Sequence, residues 1–322
     1  MQTLDNISSS QFANSVMNKI DSNFTKVKNA INALEQSGGG SSGGGETTNE
    51  PLKILCVGNS FTKNTMQYIG DYKYSNITYQ GICSNLGISG VTIQRLYKDG
   101  ASLQQYDEIG LTSEISDNGV LLVDVIGSTG KSSATTLGGL FAHPWDYVMF
   151  QQKSLLSGNY SSYEPYLTNL INKVKANCTN PNVKFIWLMT WKTGAAAYAD
   201  IIAVTKKISN KFDIVVPAGT AIQNIRNSSV NDSNANDFSR DGQHLNMGVG
   251  DYVAGCTFYA SVLQQFTGKD VYNNNFSNSA GEHDSQSATG AVDVTDANRD
   301  ICKECAVFAV LRPYNPTDVE NL

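Results

Sequence analysis

Histidine is scarce in this sequence. There are three in 322 residues, His143, His244 and His283, so any reaction that needs an imidazole has few candidates. Cysteine is sparse as well. The six, at 56, 83, 178, 256, 302 and 305, are too scattered for a disulfide scaffold. Cys302 and Cys305 form a lone C-x-x-C inside an apolar, helix-like stretch. Zinc would need a second pair and redox chemistry a strand-to-helix turn ahead of it, so these are expected to be core thiols. No apolar run approaches the roughly 20 residues needed to cross a bilayer, and no membrane span is expected. Positive charge is not in excess. The net charge is −6 and no basic stripe stands out, which argues against nucleic acid as a partner. A signal sequence of basic, apolar and small residues is missing, with Asp5 early in the chain, and cytoplasmic synthesis is the expectation.

Hydrophobic residues make up 40% of the chain, enough for a sizeable core. A low-complexity run, Ser37 to Gly45, reads SGGGSSGGG. It can bury nothing, so residues 37–48 are read as a flexible linker. Before it, Ile20, Phe24, Val27, Ile31 and Leu34 recur at heptad spacing. An isolated helix this short is marginal in water and must bury its stripe. Residues 1–36 are therefore an oligomerisation or anchoring segment. Residues 13–34 form either a small parallel bundle, such as a homotrimer, or a helix docked on another domain.

Residues 49–322 read as one α/β domain. Leu52–Val57 is a compact apolar run ending at Gly58, as a buried parallel strand should. Val91–Tyr97, Trp145–Phe150, Val183–Met189 and Asp213–Val216 are further strands. Helical patterns fill Tyr163–Ala176, Ala195–Ser209, Thr220–Asn227, Met247–Gln265 and Thr295–Leu311. The alternation predicts a three-layer α/β/α, flavodoxin-like fold with a parallel sheet of about five strands. Leu111–Gly139 interrupts the rhythm and is read as an inserted hairpin near one edge. Asn273–Ala291 is polar and is read as a surface loop.

In such sheets ligands bind outside the carboxyl ends of the strands. Ser60 follows the first strand there, in Gly58-Asn59-Ser60, where a hydroxyl can be held towards substrate. Gly58 would allow a tight turn and close approach of substrate to the backbone. A serine at such a turn is also a good helix cap, so it needs a base to be a nucleophile. His143 precedes a strand and lies at the wrong end of the sheet. His283 sits between Glu282 and Asp284 in the polar loop. His244 follows the last strand, three residues after Asp241, a spacing that lets the carboxylate reach imidazole Nδ1 while Nε2 takes a serine proton. The alternative is that Asp241 and His244 cap the following helix. No His/Cys/Asp/Glu cluster remains for a metal, and no cofactor is expected.

Gly58-Asn59-Ser60-Phe61 together with Asp241-x-x-His244 resembles the SGNH (GDSL-like) hydrolase superfamily. The closer resemblance is to a GNSF-type bacterial branch, common in gut Bacteroidetes and typed as a domain of unknown function. It rests on KILCVGNSF (53–61), KDGASLQQ (98–105), WDYVMFQQKS (145–154), TW (190–191), VPAGTAIQNIR (216–226) and RDGQHLNMGVGDYVAG (240–255). The resemblance implies a Ser60–His244–Asp241 triad. It also implies an oxyanion hole of the Ser60 and Gly100 N–H groups and a third donor. That donor is normally an Asn; here the block reads Gln151-Gln152-Lys153-Ser154, and Gln152 or Gln151 is expected to supply it. The superfamily cleaves lipid, thio- and carbohydrate esters. With no lid segment, and with Tyr72, Tyr74, Tyr79, Tyr160 and Tyr163 available to line a sugar site, deacetylation of an acetylated glycan is the expected activity. The segment 12–34 weakly resembles helices that begin phage tail and appendage proteins, which implies association with a virion. The alternative function is a non-catalytic glycan-binding or adhesion module of such an assembly.

Overall fold

The computed structural model describes residues 51–74, 77–231, 237–278 and 291–321. The heptad segment, the Gly/Ser run and His283 lie outside the described residues. The elements below belong to one unit, Glu50–Val319.

A six-stranded sheet forms the middle layer. Its strands are β1 (Leu52–Gly58), β4 (Val91–Tyr97), β5 (Leu121–Ile126), β6 (Tyr147–Phe150), β7 (Lys184–Leu188) and β8 (Ile214–Val216), in the order β5-β4-β1-β6-β7-β8. A separate antiparallel pair, β2 (Tyr72–Tyr74) and β3 (Ile77–Tyr79), lies between β1 and β4 in sequence. β4, β1, β6, β7 and β8 run parallel, which is the flavodoxin-like order with its switch point at β1 and β6.

The apolar strand runs are continuous because both faces of the sheet are covered. Ile54 and Cys56 of β1 and Met149 of β6 pack into the core on one face. Their neighbours Leu55, Val57, Val148 and Phe150 pack into the core on the other. The first face carries α1 (Ser60–Met66), α2 (Ile82–Asn85), α7 (Ala218–Arg226), α8 (Val249–Phe258) and α9 (Arg299–Leu311). The second carries α3 (Leu103–Asp107), α4 (Leu137–Ala142), α5 (Tyr166–Asn177) and α6 (Tyr198–Ile208). A π-helical turn, Tyr259–Leu263, prolongs α8.

Three expectations change. The segment 111–139 is not a hairpin of its own. It contributes one strand, β5, which pairs antiparallel with β4 and completes the main sheet. Val120–Val123 supplies the apolar part, and joining the sheet satisfies the open backbone edge of β4. The start of the 273–291 stretch is not surface loop either. Asn274, Phe276 and Asn278 are buried, because Asn274 Nδ2 donates to the Tyr252 hydroxyl and Asn278 Oδ1 accepts from Val294 N–H. Third, Gly58 lies within β1, and its bareness serves the chain itself. A Cβ there would stand 2.1 Å from Thr62 Oγ1 and 2.9 Å from Gln151 Cγ.

All six cysteines are free, and Cys302 and Cys305 are buried. Burial pushes the Cys56, Cys83 and Cys256 thiols up to about 12, so they stay protonated and are poor nucleophiles.

Candidate active site

The loops that leave β4, β1 and β6 lie side by side at the carboxyl edge of the sheet. Asn59 knits the first two together. Its Oδ1 accepts from Phe61 N–H at 3.0 Å and caps α1, while its Nδ2 donates to Ala101 O at 2.9 Å. Ser60 is thereby relieved of capping and becomes the first helical residue, its hydroxyl left for other work. The N–H groups of the first turn have no intrahelical acceptor.

Lys98 N–H donates to Gly58 O at 3.3 Å, and Gly100 turns the loop with φ +56°, a conformation that favours glycine. Neither Ser60 N–H nor Gly100 N–H has an acceptor among the described residues.

The segment 238–246 brings in His244. Arg240 N–H donates to His244 O and Asn246 N–H to Phe238 O, both at 2.9 Å, and Ser239 bridges Leu245. This narrow antiparallel loop presents His244 at its end. Phe238, buried, takes φ +56°, an uncommon conformation for an aromatic residue that only firm surroundings maintain. His244 Nε2 lies 2.8 Å from Ser60 Oγ, and Nδ1 lies 2.6 Å from Asp241 Oδ2. Asp241 Oδ1 also accepts the N–H groups of His244 (2.7 Å) and Gln243 (3.0 Å). α8 starts only at Val249, behind Gly248 and without a side-chain cap, so Asp241 and His244 do not cap it. Partial burial raises the Asp241 carboxyl. The hydrogen bonds from the His244 ring and from the two N–H groups outweigh that and hold it below its ordinary value. Ionised, it fixes the tautomer with Nδ1–H donating, which leaves Nε2 to accept from the serine hydroxyl.

Several supports for this arrangement are not obvious in the sequence. Trp191 Nε1 donates to Gln243 O at 2.7 Å, and its ring stacks on Phe61 at 4.4 Å. Phe61 meets the His244 ring edge-on at 6.0 Å. Ser154 Oγ donates to Gln243 Oε1 at 3.1 Å. Asn64, one turn beyond Ser60, donates to Leu245 O (3.3 Å) and to the buried Asp251 (2.8 Å). The one signal for Asn64 is its i+4 spacing from Ser60, which places both on one flank of α1.

The chain belongs to the DUF4886 family. The pattern of this family, a domain of unknown function, matches residues 53–294. No curated protein matches the chain. The crystal structure of a DUF4886 family protein from Bacteroides uniformis is similar, at 23% identity and a TM-score of 0.60, covering 85% of this chain and all of the other. That likeness bears on the fold of the DUF4886 domain.

Other expected residues of the domain fall elsewhere. His143 Nε2 is bonded to Gly130 O at 2.9 Å, beside Trp145 and before β6, at the opposite edge of the sheet. The tyrosines expected to line a sugar site are largely occupied. Tyr163 is buried and donates to Ser157 O, Tyr72 is buried against Tyr79, and the Tyr160 ring faces the Lys207 ammonium. Gln152 is also enclosed, and both its amide hydrogens go to Ser162. No group of three or more His, Cys, Asp or Glu poised to hold a metal ion occurs among the described residues.

Proposed function

We propose that this DUF4886 domain is a serine ester hydrolase working as SGNH enzymes do. The observation that carries the reading is the relay from Ser60 Oγ through His244 to Asp241, at 2.8 and 2.6 Å. In this mechanism Ser60 Oγ attacks the ester carbonyl carbon while His244 Nε2 takes its proton. The negative charge on the carbonyl oxygen is met by the N–H groups of Ser60 and Gly100. Collapse breaks the bond to the alcohol, which leaves with the proton from His244. Water, activated by the same imidazole, then hydrolyses the acyl-Ser60 and frees the acid. Asp241 keeps its charge throughout and stabilises the imidazolium.

The substrate we favour is a short acyl ester on a glycan. The site lies open on the surface, with about a quarter of the His244 side chain and half of Asp241 exposed. Cavities occur between Lys63, Tyr72 and Arg95 and between Asp107, Asn169 and Lys173, and neither is lined by Ser60 or His244. An open rim admits a polymer, whereas a long acyl chain needs an enclosed apolar channel. No helix among the described residues is long and apolar enough to cross a membrane.

The first test is hydrolysis of p-nitrophenyl acetate by the full chain and by Ser60→Ala. The variant should lose at least about 10³-fold in kcat/KM, and acetate should be released from acetylated polysaccharides. Equal rates for the two proteins would overturn the esterase reading in favour of a binding module. Turnover of long-chain esters without release of acetate from any acetylated glycan would overturn the substrate class.

A further inference from the structure

An oxyanion hole with two backbone donors has room for a third, and of the two glutamines expected to fill it Gln152 has both amide hydrogens committed elsewhere while Gln151 has its carbonyl committed. Gln152 acts as a staple. Its Nε2 donates to Ser162 O (2.9 Å) and Oγ (3.1 Å), and its Oε1 accepts from Leu103 N–H (3.1 Å) and Lys153 N–H (2.8 Å). Gln151 is buried against Gly58, accepts the Thr62 hydroxyl at 3.2 Å and reaches Gln152 O at 3.4 Å.

Lys153 follows. It is half-buried, and its Nζ lies 4.0 Å from the position a Cβ on Gly100 would take. No carboxylate or hydrogen-bond acceptor holds this ammonium among the described residues. The neighbouring carboxylate, Asp99, accepts from the Tyr97 hydroxyl at 3.2 Å. The staple also sets the register, because one oxygen, Gln152 Oε1, grips the backbone of Lys153 and that of Leu103, three residues beyond Gly100. A lysine can cover its stem and keep its ammonium in water, so with no carboxylate holding it among the described residues this cation is free to meet negative charge that arrives. In the proposed reaction that charge develops on the carbonyl oxygen, beside Gly100 N–H.

We propose that Lys153 is the third donor of the oxyanion hole, a catalytic residue that donates one charge-assisted hydrogen bond to the tetrahedral intermediate and keeps its proton. The proposal rests on the esterase reading. A charged donor is roughly twice as strong as a neutral amide, and it acts where charge appears rather than where substrate binds.

The experiment is steady-state kinetics of the full chain on p-nitrophenyl acetate, with Lys153→Met, Lys153→Gln, Lys153→Arg and Ser60→Ala. This substrate carries no anionic group, so a lysine that merely anchors a charged glycan has nothing to hold. Lys153→Met should lower kcat about 10²-fold, with KM within about twofold of wild type. Lys153→Gln and Lys153→Arg should recover part of the loss, and thermal midpoints should stay close to wild type. If Lys153→Met does not fold, Lys153→Gln is read instead, with an expected loss of at least about tenfold. A kcat within about threefold of wild type in the folded variants, or a change in KM alone, would overturn the role of Lys153 while leaving the esterase standing. Wild-type activity that does not depend on Ser60 would overturn both.

Discussion

One carboxylate, that of Asp241, both holds the His244 ring and folds the loop that carries it. Oδ2 takes the imidazole N–H and Oδ1 takes two backbone N–H groups. Because these bonds favour the ionised form, its pKa in the folded chain lies below the ordinary 3.8. A depressed carboxyl contributes stability that is present above the unfolded-chain value and is lost as pH falls through the folded one. The thermal midpoint of Asp241→Asn should therefore lie below wild type at neutral pH. The gap should close on acidification below the ordinary carboxylate range. At neutral pH the same variant should lose about 10²–10⁴-fold in kcat, since the amide no longer enforces the tautomer. A gap that widens in acid would contradict this account. The Asp241–His244 contact is legible in the sequence because its spacing is local and the loop is short. The fate of Gln151 and Gln152 is not. Two residues past a strand end, a single side-chain torsion decides between core and cleft, and Gln152 turns to Ser162 because Leu103 and Lys153 N–H groups await its carbonyl.

At the scale of elements, α1 and the 238–246 loop act as a pair. Asn64 ties them, since one amide donates both to the carbonyl following His244 and to Asp251 on α8. Asn64→Ala should destabilise the fold by about 1–3 kcal/mol, because a buried acceptor and a buried carboxylate each lose a donor. It should also lower kcat more than it raises KM, as His244 loses its support from behind. Chemical denaturation and kinetics on one preparation check both parts. A stability loss with unchanged kcat would show that Asn64 is only a core residue. The strands and most helices can be read from apolar periodicity, since both faces of the parallel sheet are buried. β5 and the Asn274–Asn278 segment are not so legible. β5 is an exposed edge whose partner is 24 residues upstream in register, Leu121 opposite Tyr97. The Asn274–Asn278 segment is buried through side-chain amides rather than apolar residues, and composition alone reads such a stretch as solvated.

For the whole molecule, the order β4-β1-β6 gathers three sequence blocks separated by tens of residues at one sheet edge. The sequence brings them there only through strand order, which parallel crossovers constrain to a few choices. Whether several such edges act together depends on residues 13–34. The heptad spacing of Ile20, Phe24, Val27, Ile31 and Leu34 leaves two expectations open, a parallel bundle and a helix docked on another domain. We propose the first of these, a trimer of the full chain through this segment. A glycan bearing many esters would then meet three sites at a high effective concentration, set by the linker. Sedimentation equilibrium of the full chain should give three times the 34.8 kDa chain mass. Substituting Phe24 and Val27 by Asp should reduce it to the monomer while leaving kcat/KM on p-nitrophenyl acetate unchanged. That substrate engages one site at a time, so only release of acetate from a polymer should slow. A wild-type chain that stays monomeric at high concentration would exclude the bundle, and with it any multivalent advantage on polymeric substrate.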